Sequence, residues 1–297
     1  MNKLKVAVTG GSGRIGTRVV RHLWERGHDV INIDRRAPQN ATAKFCYADI
    51  RQRSQLQPLL EGVDAVCHLA EIPTNSQMIP PDEVYIHNTT VGATVLQTVA
   101  DLKIKRLIYT STCQVYGMWG EPSLPLKHLP MDENHPLQPN NSYGCGKVAN
   151  EFLAHAISRQ TGLSIAIFRF PMVLNFDFET PGSEKWFDYR QEFGDGYGTH
   201  VHTDDATRAY VLALENPRPG CEAYHFSAEE ALCSLPLRES VQRRHPDGAQ
   251  LPADWPKTKS FINCAKAKAH FNWSPEKNLM DQFRQKFGRD PHPPGAK

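Results

Sequence analysis

The sequence predicts an α/β fold, a doubly wound parallel sheet of about seven strands with a small C-terminal lobe. Two observations predict it. Up to about residue 170, short β-branched runs alternate with helical patterns, the order required by a parallel sheet covered by helices. The runs themselves, such as VAVT at 6–9 and IAIF at 165–168, are apolar without alternation, so the strands are expected to be buried on both faces.

Candidate strands fall at 4–9, 30–34, 44–47, 65–69, 106–110 and 164–168, and helical stretches near 15–26, 54–60, 83–102 and 147–160. Gly27 and Gly162 each follow a last helical turn, where a left-handed residue closes a helix. Beyond 170 the rhythm breaks: 171–200 and 216–260 are richer in Pro, Gly and aromatics, with a strand-like AYHFS at 223–227 and a helical KAKAHF at 266–271. The expected organisation is a nucleotide-binding unit at 1–170, to which 201–228 returns, a lobe from 171–200 and 229–290, and a disordered tail at 291–297.

A chain of 297 residues with 40% apolar and 22% charged content can bury a large core. Its 34 Lys and Arg against 32 Asp and Glu leave a net charge of +2 without basic runs, which indicates neither a nucleic-acid groove nor an anionic membrane surface. The apolar run after the first residues is too short for a signal peptide or a membrane span, so a cytoplasmic protein is expected. Seven cysteines, at 46, 67, 113, 145, 221, 233 and 264, form an odd set with no CxxC. They read as reduced core residues, with no metal site.

The strongest local signal is TGGSGRIG at 9–16, directly after the first strand and opening the first helix. Gly10, Gly13 and Gly16 permit a tight turn and close approach of the backbone to a pyrophosphate, and the helix start, with Arg14 and Ile15, offers free N–H groups and the positive end of the helix dipole. This is the pattern of a Rossmann-type dinucleotide site. Asp34 ends the second strand, 18 residues beyond Gly16, where a carboxylate can accept hydrogen bonds from a ribose diol and repel a 2′-phosphate. NAD is therefore the expected cofactor, with NADP possible through Arg35 or Arg36.

A second signal is Tyr143 and Lys147 in SYGCGK, four residues apart on one helix face. A tyrosine that ionises near pH ~10 is a poor base at neutral pH, and a neighbouring ammonium stabilises its phenolate. Such spacing is also common by chance, and two glycines in a helical first turn are costly unless something must approach closely.

Taken together, TGGSGRIG, HLAE at 68–71, STCQVYG at 111–117, DENHPLQPNNSYGCGK at 132–147 and VHTDD at 201–205 resemble the extended short-chain dehydrogenase/reductases, the NAD-dependent epimerase/dehydratase family, in consistent order over roughly 3–230. The resemblance implies that Tyr143 is the acid/base and that Lys147 holds the nicotinamide ribose and depresses the tyrosine pKa. It implies that Thr112 hydrogen-bonds the reacting oxygen. Asp49 and Ile50 match a pair that contacts adenine, and His68, Leu69 and Ala70 match the stretch beneath the pyrophosphate and ribose. Asn88 matches a helix asparagine that supports the active-site backbone and counts among the cofactor-binding residues, with an exposed polar residue as an equal reading. Arg169 matches a structural arginine. Family members often form homodimers through the helices corresponding to 83–102 and 143–160.

The chain also departs from the family. Dehydratases carry Asp-Glu after the catalytic Thr and uronate dehydrogenases an Asn-His pair after the corresponding Ser, where Cys113 and Gln114 stand here. Nucleotide-sugar epimerases have a longer segment between the sixth strand and VHTDD, ending in an arginine that contacts the diphosphate, at the place of Gly198. The expected activity is therefore hydride transfer to or from a carbinol or carbonyl carbon of a small carbohydrate-like substrate, bound in the C-terminal lobe. A redox-neutral sugar epimerase and a non-catalytic dinucleotide sensor are the alternatives. Candidate substrate contacts are Thr74, Asn75, Gln114, Asn175 and Arg190, with Trp119 and Met172 near them.

Overall fold

The computed structural model describes residues 3–73, 78–119, 123–175, 195–232 and 236–290 of the 297-residue chain. Seven strands form one wholly parallel sheet in the order β3-β2-β1-β4-β5-β6-β9: β1 (Lys5–Thr9), β2 (Asp29–Asp34), β3 (Lys44–Tyr47), β4 (Ala65–His68), β5 (Arg106–Thr112), β6 (Ser164–Phe170) and β9 (Cys221–His225). The seven-stranded α/β sheet expected from the sequence is what forms. The chain winds outward from β1 to β3, then crosses back to β4, and this reversal opens a crevice at the carboxyl ends of β1 and β4. A separate parallel pair joins β7 (Met172–Leu174) and β8 (His200–His202).

Helix α1 (Gly16–Glu25) buries Val19, Val20 and Leu23 on one stripe. Helix α2 spans Arg53–Leu60, and α3 (Pro81–Asp101) opens with proline at its first position and Asp82 and Glu83 in its first turn, all favourable to a helix start. Helix α4 (Ser142–Thr161) begins five residues before the expected 147. The Asn141 side chain accepts the Gly144 N–H at 2.8 Å and caps it, offsetting the poor propensity of Gly144 and Gly146. Helices α5 (Thr203–Glu215), α6 (Leu237–Arg244), α7 (Ala265–Phe271) and α8 (Leu279–Phe287) follow.

One face of the sheet packs Val6, Val8 and Phe168 against α1, α5, Phe271 and Trp273, and the other packs Ala7, Ile33 and Ile165 against α2, α3 and α4. A third core joins Cys113, Tyr116, Leu126 and Met131 to Tyr197, Leu237, Leu251 and Phe261, so the connection from β5 to α4 supplies part of the lobe. Between sheet and lobe lies a buried ion pair, Arg169 with Glu151 at 2.6 Å. Arg169 also donates to the Tyr116 hydroxyl at 2.7 Å, which satisfies a guanidinium that would be costly to bury alone.

Cys46, Cys67, Cys113, Cys145, Cys221 and Cys264 are free thiols, and Cys233 lies outside the described residues. Among the described residues no three His, Cys, Asp or Glu side chains are placed to hold a metal ion. Among them, too, no helix is long and apolar enough to cross a membrane.

Candidate active site

The crevice at the β1–β4 reversal is a cleft of about 460 Å³. Gly10, Gly13, Asp34, Arg35, Asp49, Ile50, Leu69 and Ala70 line it, joined by Ile33, Arg36, Ala48, Glu71, Ile72 and His87. Gly10 is required there: its φ is +75°, and a Cβ would lie 2.7 Å from the Ala70 nitrogen, so only glycine lets the first turn touch the end of β4.

Among the described residues the N–H groups of Arg14 and Ile15 meet no acceptor, leaving two donors at the start of α1. The Arg14 side chain turns away from the cleft and donates to the Val173 carbonyl at 3.3 Å. At the far side the Asp34 carboxylate accepts the N–H groups of Ser12 (3.1 Å) and Arg36 (3.0 Å), which fixes it at the cleft wall with Arg35 beside it. Asp49 is paired with Arg51, which holds its carboxyl down at about 2.

Asn88 does not face the cleft, so the expectation that it binds cofactor needs correction. It is fully buried, and its side-chain amide accepts the Ile72 N–H at 2.8 Å and donates to the Ile72 carbonyl at 2.9 Å. It shapes the wall rather than the ligand surface. The alternative of an exposed polar residue is excluded by the same burial.

Thr112, Tyr143 and Lys147 do not line this cleft themselves; Lys147 is joined to it through Glu71, a lining residue. Thr112 ends β5 and accepts the Gln114 N–H at 3.2 Å, starting a short 3-10 turn over Cys113–Tyr116. The first turn of α4 packs on that turn: a Cβ at Gly144 would stand 3.0 Å from the Gln114 carbonyl. This close approach accounts for one of the two glycines. The Lys147 ammonium donates to the Thr110 carbonyl at 2.6 Å, and its nitrogen lies 5.4 Å from the centre of the half-buried Tyr143 ring.

Lys147 also forms an ion pair with Glu71, whose other oxygen accepts the Tyr109 hydroxyl at 2.7 Å. Asn150 donates to that same hydroxyl at 3.0 Å. Burial works against the Lys147 ammonium, but Glu71 and Tyr143 more than offset it and hold its pKa above the ordinary value. Burial also pushes the Tyr143 phenol up. Lys147 pulls it down and Glu71 pushes it up again, so the net direction is upward. Lys147 depresses the tyrosine pKa as expected, but burial and the Glu71 carboxyl together outweigh that one ammonium.

Of the candidate substrate contacts, Gln114 accepts a hydrogen bond from the Asn141 side chain at 3.1 Å, tying the 3-10 turn to the start of α4. Asn175 is exposed and stands apart from the cleft lining. Thr74, Asn75 and Arg190 lie outside the described residues. Trp119 packs in the lobe core, and Met172 against Leu279 and Phe283.

Sequence reasoning passed over Glu71, Tyr109 and Asn150. Glu71 stood in HLAE, a stretch read only for its backbone. The available signal was Lys147 itself, because a buried ammonium needs a counterion and HLAE offers a carboxylate at the end of β4.

A glycine-turn cradle with two free N–H donors and a carboxylate held at the cleft wall, with Lys147 paired to Glu71 on the lining, fit a nicotinamide dinucleotide and define a Rossmann-type dinucleotide site. The family model described as "NAD dependent epimerase/dehydratase family" matches residues 6–185. The chain belongs to that family, and it is an NAD-dependent enzyme of the extended short-chain dehydrogenase/reductase class. UDP-glucose 4-epimerase of Lacticaseibacillus casei is 24% identical over 321 aligned positions, with 94% of each chain covered. Among solved structures, UDP-glucose 4-epimerase of Bifidobacterium longum in complex with NAD+ and UDP has a TM-score of 0.71 at 18% identity, covering 96% of this chain and 99% of that one. A monomeric L-threonine 3-dehydrogenase from metagenomic sequence has a TM-score of 0.70 at 21% identity, covering 95% and 97%.

Proposed function

We propose that this enzyme transfers hydride to or from the carbinol or carbonyl carbon of a small carbohydrate-like substrate, with Tyr143 exchanging the proton at the neighbouring oxygen. The observation that carries this reading is the Lys147 bond to Thr110, which ties the helix bearing Tyr143 to the strand that ends in Thr112. When bound, the nicotinamide supplies or accepts the hydride. The Arg14 and Ile15 N–H groups hold the pyrophosphate, and Asp34 accepts from the adenosine ribose. Thr112 donates to the reacting oxygen, lowering the cost of the charge that develops there.

A small free substrate is supported by two observations. Gly198 has φ of +67° and is pressed against the backbone of Leu232, whose N–H it accepts at 2.8 Å, so no arginine side chain fits at that place. The alignment with the L. casei relative spans 321 positions, whereas 94% of this chain is about 279 residues. Some ~40 positions of the alignment thus have no counterpart here, in keeping with a trimmed substrate lobe.

A second reading, a redox-neutral nucleotide-sugar epimerase, is favoured by the relatives named UDP-glucose 4-epimerase. One experiment separates the two. The protein is mixed with NAD and a panel of sugars and sugar acids while NADH absorbance is followed, and with UDP-glucose while UDP-galactose is sought by chromatography. Net NADH formation with a free substrate supports the first reading. Epimer formation without net NADH overturns it in favour of the second.

We also infer a cytoplasmic homodimer that pairs through α3 and α4. Tyr85, Ile86 and Phe152 are exposed on these helices at 40%, 60% and 68%, and pairing of α3 and α4 with a second copy would cover them. Light scattering should give twice the chain mass, and Phe152→Glu should halve it.

A further inference from the structure

Glu71 is a buried carboxyl group that the proposed chemistry does not use; burial pushes its pKa up, and the Lys147 ammonium and the Tyr109 hydroxyl pull against that as partners of the charged form. It ends the β4 connection at the cleft wall, with one oxygen on the Lys147 ammonium and the other accepting from Tyr109. Its side chain is 5% exposed and that of Lys147 is 3% exposed, so water does little to screen either. The ammonium has a second fixed acceptor in the Thr110 carbonyl. Its positive charge is therefore matched before any phenolate forms nearby.

The other groups around the pair add no cation. His68 faces Glu71 from β4 at 3.8 Å, is held through Thr9 at 2.7 Å, and is kept neutral by burial. Tyr109 on β5 and Tyr210 on α5 are neutral phenols, and Glu151 on α4 adds negative charge towards Lys147 while bound to Arg169. A Tyr143 phenolate would be a second negative charge set against one ammonium, beside a Glu71–Lys147 pair that water scarcely reaches. Without Glu71 it would be the first.

We propose that Glu71 is a positioning residue that fixes and neutralises the Lys147 ammonium, so that the Tyr143 hydroxyl serves as a proton donor at neutral pH. This rests on the reading of Tyr143 as the acid/base. In the reductive direction the substrate carbonyl takes hydride from NADH at carbon and the Tyr143 proton at oxygen, yielding a carbinol, NAD+ and a phenolate that regains a proton from solvent. In the oxidative direction the phenolate must already exist, and Glu71 makes it scarce. The site thereby favours reduction of a carbonyl near neutral pH and oxidation only in alkaline solution.

The test needs no substrate. Tyrosinate ultraviolet absorbance is titrated against pH for the NAD-free protein and for Glu71→Gln, each with and without Tyr143→Phe, so that the difference isolates Tyr143. Glutamine keeps the acceptor for the Tyr109 hydroxyl and removes the charge. Tyr143 is expected to ionise at least about one pH unit lower in Glu71→Gln, a tenfold gain in phenolate at a given pH. If Glu71→Gln does not fold by circular dichroism, Glu71→Met, close in volume and suited to a buried site, is expected to give the same downward shift. A structural role alone would alter melting temperature without moving this titration. An unchanged or raised Tyr143 transition, or deprotonation of Lys147 in its place with no tyrosinate signal, overturns the proposal. If the titration moves but no substrate is turned over, the proposed function fails, and of this inference only the upward shift that Glu71 imposes on Tyr143 stands.

Discussion

The Asn88 side chain holds both backbone groups of Ile72, taking its N–H at 2.8 Å and giving to its carbonyl at 2.9 Å. One amide thus closes the wall where the chain leaves β4 for the cleft. Asn88→Ala leaves two part-buried backbone groups without their partner, each costing up to about 1–2 kcal/mol. A urea titration should show a loss of about 2–4 kcal/mol. Calorimetry should show weaker NAD binding by the surviving folded protein. Unchanged affinity would mean that Ile72 keeps its place without the amide.

Asp34 should make the protein prefer NAD over NADP by at least several-fold, because a fixed carboxylate repels a 2′-phosphate by about one to a few kcal/mol. Asp34→Ser should shrink that preference, with Arg35 and Arg36 free to attract the phosphate. Tighter NADP binding by the unaltered protein would show that the arginines govern the site.

Tyr143→Phe removes one oxygen, so it should leave folding and NAD affinity nearly intact while lowering turnover by roughly two to four orders of magnitude. Lys147→Met should reduce both cofactor affinity and rate, and it should also lower stability by leaving Glu71 buried without its cation. Thr112→Val should act mainly on rate. Near-normal turnover of Tyr143→Phe with an authentic substrate would refute the assignment.

UDP should not bind the NAD-loaded protein with micromolar affinity, since a diphosphate without a fixed cation loses the bonds that offset its desolvation. Gly198→Arg should not restore binding. It should destabilise the protein instead, because a side chain at φ +67° meets the Leu232 backbone. Micromolar UDP binding in isothermal titration would return the epimerase reading to first place.

Acid should unfold the protein well above the usual carboxylate range. Burial lowers His200 to about 4 and His68 to about 3, against 6.5 in an open chain. Between those values and 6.5 the unfolded chain binds more protons than the folded one, so stability rises with pH across that window and falls on acidification. Each such histidine should cost about 2–3 kcal/mol by pH 4.5. Asp49, lowered to about 2 by Arg51, adds stability above its unfolded value of about 3.8 that is lost as pH falls further. Urea midpoints equal at pH 7 and 4.5 would contradict this, and His200→Gln should flatten the upper part of the curve.

Much of the architecture was legible because its determinants are local. Uninterrupted apolar runs announced buried parallel strands, and β3 runs over the expected 44–47. The start of α4 was not legible, because Gly144 and Gly146 argue against a helix while the Asn141 cap that overrides them is a single side-chain bond. The cleft residues Gly10 and Asp34 could be read off spacing along the chain, and Leu69 off the family resemblance. Glu71 could not: its meaning lies in Lys147, 76 residues away, and only the pairing of β4 with β5 and the packing of α4 bring the two charges together.

The C-terminal stretch bears on how this protein leaves the ribosome. Trp273 is fully buried among Phe226 and the sheet core, and its indole N–H donates to the Asp205 carbonyl at 3.0 Å. The Asp205 carboxylate in turn takes the N–H groups of Glu276 and Lys277. A nascent chain halted after β9 would thus expose the apolar face over which Phe271 and Trp273 close, although every strand had already been synthesised. Completion waits on the synthesis of residues 271–277, and a nonsense codon anywhere before 273 should yield an aggregating fragment rather than a smaller working dinucleotide domain.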